Sequence, residues 1–240
     1  MKPHDEVQAV RERYARRAGA DPGVDPGTDR HSIFQPAVLA MLQERQRALL
    51  NLLARHGRTD LSALRGVEVG CGAGGNLLEL LRWGFAPAHL QGLELLPERH
   101  QQARQLLPPQ LALHLGDAVQ APVQPLSQDL VLQFTVFSSL LDDEFQQQLA
   151  QAMWRWLKPG GAIVWYDFCF DNPRNPDVRG VPLSRLRALF PHAPVRHRRV
   201  TLAPPLARAV CGLHPALYPV FNALPLLRTH LLAWIEKPRA

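Results

Sequence analysis

The stretch VEVGCGAGGNLLEL, Val67 to Leu80, decides how this chain folds. Its start is typical of a short buried strand and its end of a helix, and Gly70, Gly72 and Gly75 between them follow the spacing G-x-G-x-x-G. A glycine loop between a strand and a helix N-terminus is where many α/β proteins hold the pyrophosphate of a dinucleotide. Glu68 precedes the first glycine by two residues. The loop therefore holds either such a phosphate or a ligand that prefers a carboxylate nearby.

Electrostatics separates these two ligands. A pyrophosphate would bring negative charge close to Glu68, and at about 4 Å with an effective dielectric constant of about 20 one such pair costs roughly 4 kcal/mol. S-adenosylmethionine carries a sulfonium and an ammonium group and no phosphate, so the sign of the interaction is reversed. Glu68 thus favours a cationic ligand over a nicotinamide dinucleotide.

Strand and helix patterns alternate along the chain outward from this loop. Strands are predicted at GVEVG, HLQGLEL, LALHLGD, DLVLQFTVF and AIVWYDF, and helices at GNLLELLRWG, PERHQQARQLL and DDEFQQQLAQAMWRWLK. Strands this apolar indicate a parallel sheet with helices on both faces. The C-terminal part predicts a helix at SRLRALF, an edge strand at VRHRRVTLA, a proline-broken helical stretch at 204–224 and a last strand at THLLAWIEK.

A helical extension precedes this alternating pattern. It begins with the amphipathic segment VQAVRERYARRAG, continues through DPGVDPGTDR, where Pro-Gly pairs interrupt regular structure, and ends with a helix over about 36–56 that has Gly57 as its C-cap. We expect residues 1–60 to form an N-terminal helical cover and residues 61–240 to form the core.

Two further acids follow later strands. Glu94 ends strand 2, 19 residues after Gly75, which is the separation typical of a carboxylate that accepts hydrogen bonds from ribose hydroxyls. Asp117 follows strand 3 and is suited to accept from an adenine amino group, with the backbone of Ala118 at the ring edge. Each acid alone could be a loop residue or a helix cap. Three acids at the ends of three successive strands favour a ligand site.

The motifs from about Gly66 to Phe170 resemble those of the class I S-adenosylmethionine-dependent methyltransferases. In chain order they are VEVGCGAGG, GLELLPE, GDA, DLVLQFTVFSSLLDDE and LKPGGAIVWYDF. Within that family the chain looks closest to bacterial small-molecule enzymes. The resemblance implies a Rossmann-like, mostly parallel sheet of seven strands in the order 3-2-1-4-5-7-6, with strand 7 antiparallel and helices on both faces.

The resemblance also implies how the donor S-adenosylmethionine is held before it leaves as S-adenosylhomocysteine. Glu68 and the backbone of Gly70 would hold the methionine amino group, Glu94 the ribose, and Asp117 and Ala118 the adenine. The predicted donor-binding residues are Tyr14, Glu68, Gly70, Cys71, Gly72, Gly74, Glu94, Leu95, Asp117, Ala118 and, at the methionine end, Gln133.

The residues after strand 4 bear on the acceptor. Family enzymes that methylate base amines carry Asn/Asp-Pro-Pro-aromatic there, those that methylate base C5 a nucleophilic cysteine, and protein-arginine enzymes two glutamates, whereas this chain has QFTVF at 133–137. A small-molecule acceptor is therefore favoured over nucleic acid. We predict O-methylation of a glycan or secondary metabolite. N- or S-methylation, a nicotinamide-dependent oxidoreductase and a non-catalytic binding module are the alternatives.

An oxygen acceptor usually loses a proton during transfer. His31, in TDRHSIF, and Asp167, at the end of strand 5, are the candidate catalytic bases, although His31 could be a surface histidine and Asp167 could cap a turn. The histidines lack metal-ligand spacing, so no metal is predicted. The predicted acceptor-binding residues are Phe137, Tyr166 and two arginines of the proline-stiffened insertion FDNPRNPDVRG, Arg174 and Arg179.

Composition limits the remaining classes. No apolar run approaches the roughly 18 residues of a membrane helix, and the charged N-terminus has no signal-peptide core. Cys71, Cys169 and Cys211 are scattered and predict neither disulfides nor a metal site. The net charge of +6 comes from arginines spread along the chain rather than from one basic face. We expect a cytoplasmic monomer or homodimer without a nucleic-acid partner or a membrane span.

Overall fold

The computed structural model describes residues 3–19, 32–173 and 175–239. Its helices are α1 (Pro3–Gly19), α2 (Pro36–Arg55), α3 (Gly75–Arg82), α4 (Pro97–Leu106), α5 (Asp143–Trp156), α6 (Leu183–Leu189), α7 (Pro204–Leu213) and α8 (Leu217–Asn222). Its strands are β1 (Gly66–Val69), β2 (Leu90–Glu94), β3 (Ala112–Leu115), β4 (Gln128–Phe134), β5 (Leu157–Phe168), β6 (Val195–Leu202) and β7 (Arg228–Glu236).

These strands form one sheet in the order β3-β2-β1-β4-β5-β7-β6. Strands β1 to β5 pair in parallel, and β7 runs antiparallel to both β5 and β6. The predicted strand order and the antiparallel strand 7 are confirmed. The parallel strands all end on one side, which we call the carboxyl end of the sheet and where such folds bind ligands.

Helices cover both faces of the sheet, as successive residues of β4 illustrate. Val131 packs in one cluster with residues of α1, α5 and α6, among them Val10 and Met153. Leu130 and Leu132 pack in another cluster with residues of α2 and α3, among them Leu49 and Leu77. Because side chains alternate across a strand, the two clusters lie on opposite faces. Glu68 lies between Val67 and Val69 of the first cluster, so its side chain faces α2 and α3.

The helix predicted over DDEFQQQLAQAMWRWLK extends two residues too far at its C-terminal end. α5 ends at Trp156, and Leu157 already has extended dihedral angles, φ −67° and ψ 135°. Lys158 precedes Pro159, and the residue before a proline is disfavoured in the helical region. The chain therefore enters β5 directly from the helix.

The end of strand 4 and the cover of strand 3 also differ from expectation. β4 stops at Phe134, because Thr135 adopts a left-handed φ of 58° and the chain continues into a 3-10 turn over Phe137–Ser139. β3 is an outermost strand of the sheet, and its Ala112 and Leu115 are exposed. Cover on both faces therefore does not extend to β3.

The two N-terminal helices differ in how they join the fold. α2 contributes Ala48, Leu49 and Leu53 to the core cluster on its face of the sheet. α1 contributes the buried Val10 to the opposite cluster. A cover formed by all of residues 1–60 stays a prediction. In the parts of the chain that the structure describes, no helix is long and apolar enough to cross a membrane.

Candidate functional site

The glycine loop after β1 is held by close contacts on two sides. Gly70 has a left-handed φ of +63°, and a Cβ added to it would come within 2.7 Å of Val136 Cγ2. Gly74 has a φ of +88°, and a Cβ there would come within 2.7 Å of Leu107 Cδ1. Side chains other than glycine rarely adopt such angles. The loop sequence is therefore fixed by backbone conformation and by neighbours.

We expect Gly70→Ala to lower the free energy of unfolding by about 1–3 kcal/mol, since the added methyl group overpacks against Val136. Chemical denaturation of the donor-free protein measures this loss. Gly72→Ala is the matched control, because Gly72 has a similar φ of +58° but no atom within 4 Å of an added Cβ. Equal losses in both variants would mean that backbone conformation alone requires glycine at position 70.

Glu94 ties the glycine loop to the end of β2. Its Oε2 accepts a hydrogen bond of 2.8 Å from the backbone N–H of Gly72, and its Oε1 accepts one of 2.8 Å from the N–H of Leu96. The side chain is buried. Each carboxylate oxygen can accept further hydrogen bonds, so Glu94 has an oriented carboxylate with acceptor capacity left.

A cleft opens at the carboxyl end of the sheet beside this loop. It contains about 820 Å³ of space between atoms, including the open mouth. Six predicted donor-binding residues line it, namely Tyr14, Gly70, Glu94, Leu95, Asp117 and Ala118. Asp117 also caps the 3-10 turn that follows, because its Oδ1 accepts a hydrogen bond of 2.9 Å from the N–H of Val119. Asp117 therefore caps this turn and lines the cleft at the same time.

Helix α1 forms one wall of the cleft. Val7, Val10 and Tyr14 line it, and the Arg99 guanidinium lies 4.6 Å from the centroid of the Tyr14 ring. The Tyr14 hydroxyl is 3.4 Å from Ser139 Oγ. The first helix thus closes a ligand site built by strands that follow much later in the chain.

A buried ion pair fastens α1 to the turn after β4. Arg13 Nη2 donates to Glu6 Oε1 at 2.6 Å and to the carbonyl oxygen of Ser139 at 3.0 Å. Glu6 Oε1 also accepts a hydrogen bond of 2.7 Å from the N–H of Leu141. Both charged side chains are almost fully buried. Arg13 and Glu6 therefore bind α1 by contacts that the sequence pattern does not reveal.

Glu68 is fully buried on the other face of β1. Asn76 Nδ2 donates to its Oε1 at 2.7 Å, and Arg45 Nη2 donates to Asn76 Oδ1 at 2.8 Å. Its Oε2 is buried and has no hydrogen-bond partner among the described residues. Burial raises the pKa of Glu68 to about 8, against the opposing effects of Asn76 and Arg45. An approaching cation would reverse this shift, because it favours the ionised carboxylate.

The turn after β4 is fixed by two predicted site residues. Gln133 Oε1 accepts a hydrogen bond of 3.1 Å from the N–H of Val136. Asp167 Oδ2 accepts one of 3.2 Å from the N–H of Ser138, and its Oδ1 accepts one of 2.8 Å from the N–H of Phe168. Desolvation raises the pKa of the buried Asp167 to about 6. Neither side chain lines the cleft.

Tyr166 belongs to a polar cluster under α2. Its hydroxyl is 2.9 Å from Thr201 Oγ1, which donates to Glu44 Oε2 at 3.0 Å. The His230 ring stacks on Tyr166 with centroids 4.7 Å apart. Burial lowers the pKa of His230 to about 3 and raises the pKa of Tyr166, so both side chains are neutral near pH 7.

The other predicted residues have structural contacts or lie outside the described residues. Phe137 is fully buried against Trp165, with ring centroids 4.6 Å apart, and Cys71 is buried in the loop. Arg179 forms an ion pair with Asp143 at the start of α5. His31 and Arg174 lie outside the described residues. Over the described ranges, no three His, Cys, Asp or Glu side chains are grouped so that they could hold a metal ion.

Comparison with known proteins bears on the core. A family described as a methyltransferase domain matches residues 67–161, which run from β1 into β5. Over these residues the chain is similar to a methyltransferase domain, and its sheet has the strand order predicted for the class I enzymes. A search of curated proteins by sequence found no match.

Solved structures share the fold of this methyltransferase domain at low sequence identity. A methyltransferase from Archaeoglobus fulgidus aligns with a TM-score of 0.57 and 15% identity over 83% of this chain and 98% of its own. One from Mesorhizobium loti aligns with a TM-score of 0.58 and 15% identity over 82% and 98%. Geranyl diphosphate C-methyltransferase from Streptomyces coelicolor was solved with S-adenosylhomocysteine. It aligns with a TM-score of 0.57 and 17% identity over 81% of this chain and 77% of its own.

Several residues around the methyltransferase site were missed by the sequence analysis. Arg99 lines the cleft, Arg45 and Asn76 surround Glu68, and Glu6 and Arg13 hold α1. Asn76 was within reach of sequence reasoning, because it lies in the first turn of the helix that the glycine loop enters. The other four contact residues of distant segments, which local spacing does not indicate.

Proposed function

We propose that this methyltransferase transfers the methyl group of S-adenosylmethionine to an oxygen of a small polar acceptor, such as a glycan or secondary-metabolite unit. The observation that carries the donor assignment is the buried Glu68 carboxylate beside the glycine loop. It has one oxygen without a hydrogen-bond partner among the described residues. A bound ammonium group would supply that partner and the positive charge.

The residues that line the cleft, together with Glu68 beside the glycine loop and outside the lining, fit the donor along its length. Glu68 and the backbone of Gly70 would hold the methionine amino group, Glu94 with Leu95 the ribose, and Asp117 with Ala118 the adenine. When bound, S-adenosylmethionine supplies a methyl group on a positively charged sulfur that an acceptor can displace in line. The protein's own contribution is alignment and exclusion of water, for which the α1 wall and the β4 turn are suited.

We expect Glu94→Ala to weaken donor binding by about 1.5–3 kcal/mol, the range for hydrogen bonds to a charged group. Part of this loss comes from the Gly72 N–H, which loses its 2.8 Å hydrogen bond to the carboxylate. Titration calorimetry measures the affinity, and Glu98→Ala, on the exposed first turn of α4, is the control. Unchanged affinity in folded Glu94→Ala would remove Glu94 from the donor site.

On the acceptor side, Asp167 remains the proposed base for deprotonating an oxygen. Both of its oxygens accept backbone hydrogen bonds. These bonds equally support a second role, in which Asp167 positions the turn after β4. A pH profile separates the two roles. If Asp167 is the base, its ionisation appears in the pH profile of kcat/KM, and Asp167→Asn removes that pH dependence. If Asp167 only positions the turn, Asp167→Asn changes the rate but leaves the pH dependence in place. Phe137, Tyr166, Arg174 and Arg179 stay proposed acceptor contacts, to be tested by the acceptor KM of their alanine variants.

We further propose that α1, within residues 1–60, acts as the cover of the core. A cytoplasmic monomer or homodimer with no nucleic-acid partner is the state in which we expect the enzyme to work.

Two measurements test the function. Thermal stabilisation by S-adenosylmethionine but not by NADH is expected from the charge at Glu68, and stabilisation by NADH alone would contradict it. Formation of S-adenosylhomocysteine with a labelled donor and a fractionated metabolite extract then identifies the acceptor. Donor binding without turnover on any fraction would favour a non-catalytic binding module.

A further inference from the structure

The segment between β6 and β7, residues 203–227, exposes large apolar side chains. Leu213 and Leu226 are 81% and 86% exposed, and Val220 and Leu224 are more than half exposed. No Asp, Glu, Lys or Arg occurs between Arg208 and Arg228. Isolated exposed apolar residues are ordinary, but an uncharged run with several of them indicates an interaction surface. We call this segment the β6–β7 insertion.

The β6–β7 insertion lies at the carboxyl end of the sheet, where the cleft opens. His230, near the start of β7, pairs with Phe168 at the end of β5 and with Val200 near the end of β6. The chain therefore leaves β6 and enters β7 on the side where the parallel strands end. The start of α2 packs against the same insertion, because Ala37 shares a core cluster with Val210 and Tyr218. Nearby in sequence, Phe34 is 87% exposed.

The charge around this insertion is one-sided. Between Asp177 and Glu236 the sequence has no acidic residue and no lysine, but it has eight arginines. The rest of the chain holds the other 19 basic residues and all 21 acidic ones. Arg199, in the second half of β6, and Arg208, on α7, are exposed. An apolar segment that has exposed arginines beside it and no acidic residue in its own sequence has the composition of a surface that binds anionic lipid.

We propose that the β6–β7 insertion docks this protein on the surface of a bilayer that contains anionic lipids. The exposed leucines enter the headgroup boundary, and the arginines of β6 and α7 bind lipid phosphates. A second copy of the chain is a poorer partner, because each arginine surface would face its like. A nucleic acid is a poorer partner because the exposed apolar residues of the insertion are aliphatic and offer no ring for stacking on bases.

Vesicle sedimentation with the full chain tests this surface. We expect the protein to bind vesicles of phosphatidylcholine and phosphatidylglycerol mixed about two to one, to bind pure phosphatidylcholine weakly, and to be released by salt. The double variant Leu213→Asp/Leu226→Asp should lose binding by about tenfold or more, since it removes two apolar contacts and adds two negative charges. Arg208→Ala should weaken binding to the anionic vesicles only.

The matched control is Leu106→Asp. Leu106 is an exposed leucine at the end of α4, which packs against β3, the edge strand farthest from β6. This variant should bind vesicles as the wild type does. Docking would be overturned by absence of vesicle binding, by equal binding of the double variant, or by a dimer that the double variant dissociates in sedimentation velocity. Binding to single-stranded RNA in place of vesicles would overturn it as well. None of these outcomes depends on methyl transfer, so docking and the proposed function can fail separately.

Discussion

Glu6→Ala is expected to detach α1 from the core and to weaken donor binding by at least about tenfold. The substitution leaves Arg13 buried without its carboxylate, and breaking such a pair typically costs about 3–5 kcal/mol. It also removes the acceptor of the Leu141 N–H. Because the sheet and the other helices pack together without this ion pair, we expect local release of the helix rather than global unfolding. The cleft then loses the wall formed by Val7, Val10 and Tyr14.

Limited trypsin digestion and titration calorimetry measure the two effects. Cleavage within α1 should become rapid in Glu6→Ala, and bound S-adenosylmethionine should slow it. Glu12→Ala is the matched control, since Glu12 is exposed on the same helix and its carboxylate accepts from Gln8. Deletion of residues 1–30 should give a folded core with the same loss of affinity. Wild-type affinity in Glu6→Ala, or in the truncated chain, would show that α1 takes no part in donor binding.

Glu68→Gln is expected to change stability and donor binding in opposite directions. In the donor-free protein the pKa of Glu68 is raised from 4.5 to about 8 by burial. The folded state then holds this proton over a pH range in which the unfolded state has lost it, so stability falls as pH rises from about 4.5 towards 8. By pH 7 this effect amounts to roughly 3 kcal/mol. Glutamine cannot ionise, so the variant should be more stable than the wild type at pH 7 to 8.

Donor affinity should fall in the same variant, by about 1.5–3 kcal/mol, because the amide offers no charge to an ammonium group. In the wild type, binding should release a proton near pH 7, because the cation favours the ionised carboxylate. Calorimetry in buffers of different ionisation enthalpy measures that proton. It should be absent in Glu68→Gln and present in Glu98→Gln, whose carboxylate is exposed. Proton release that persists in Glu68→Gln would assign the proton to another group.

The fold could be predicted because its signals are local. The glycines of the loop and the alternation of strand and helix patterns each act within a few residues. The pattern erred where local rules compete, as at Leu157, which continues the helical pattern but stands just before Lys158-Pro159. Thr135 gives no sequence signal for its left-handed conformation, which the N–H of Thr135 stabilises by donating to the carbonyl oxygen of Tyr166 at 2.8 Å.

The candidate site was predictable only where it follows the strand ends. Glu94 and Asp117 line the cleft because Glu94 ends β2 and Asp117 comes two residues after the end of β3. Arg13 contacts Ser139, 126 residues later, and Arg45 reaches Asn76 across the layer between α2 and α3. Such contacts depend on how the helices pack against each other and against the sheet. No periodic pattern in a single sequence predicts them. The charge argument predicted Glu68 as a donor-site residue. It did not predict that the Glu68 side chain would lie outside the cleft lining.

One wall of the cleft is the first described helix, α1, and the buried Glu6 carboxylate is among the groups that anchor it. We expect a ligand enclosed there to exchange with solvent when this helix moves away from the core, so that helix motion would limit the rate of turnover. We expect the rate at which S-adenosylhomocysteine leaves to rise when the Glu6–Arg13 contact is weakened, even while each methyl transfer becomes less efficient. We expect an affinity tag joined directly before Pro3 to change the same release rate, because Glu6, three residues after Pro3, is already buried against the core.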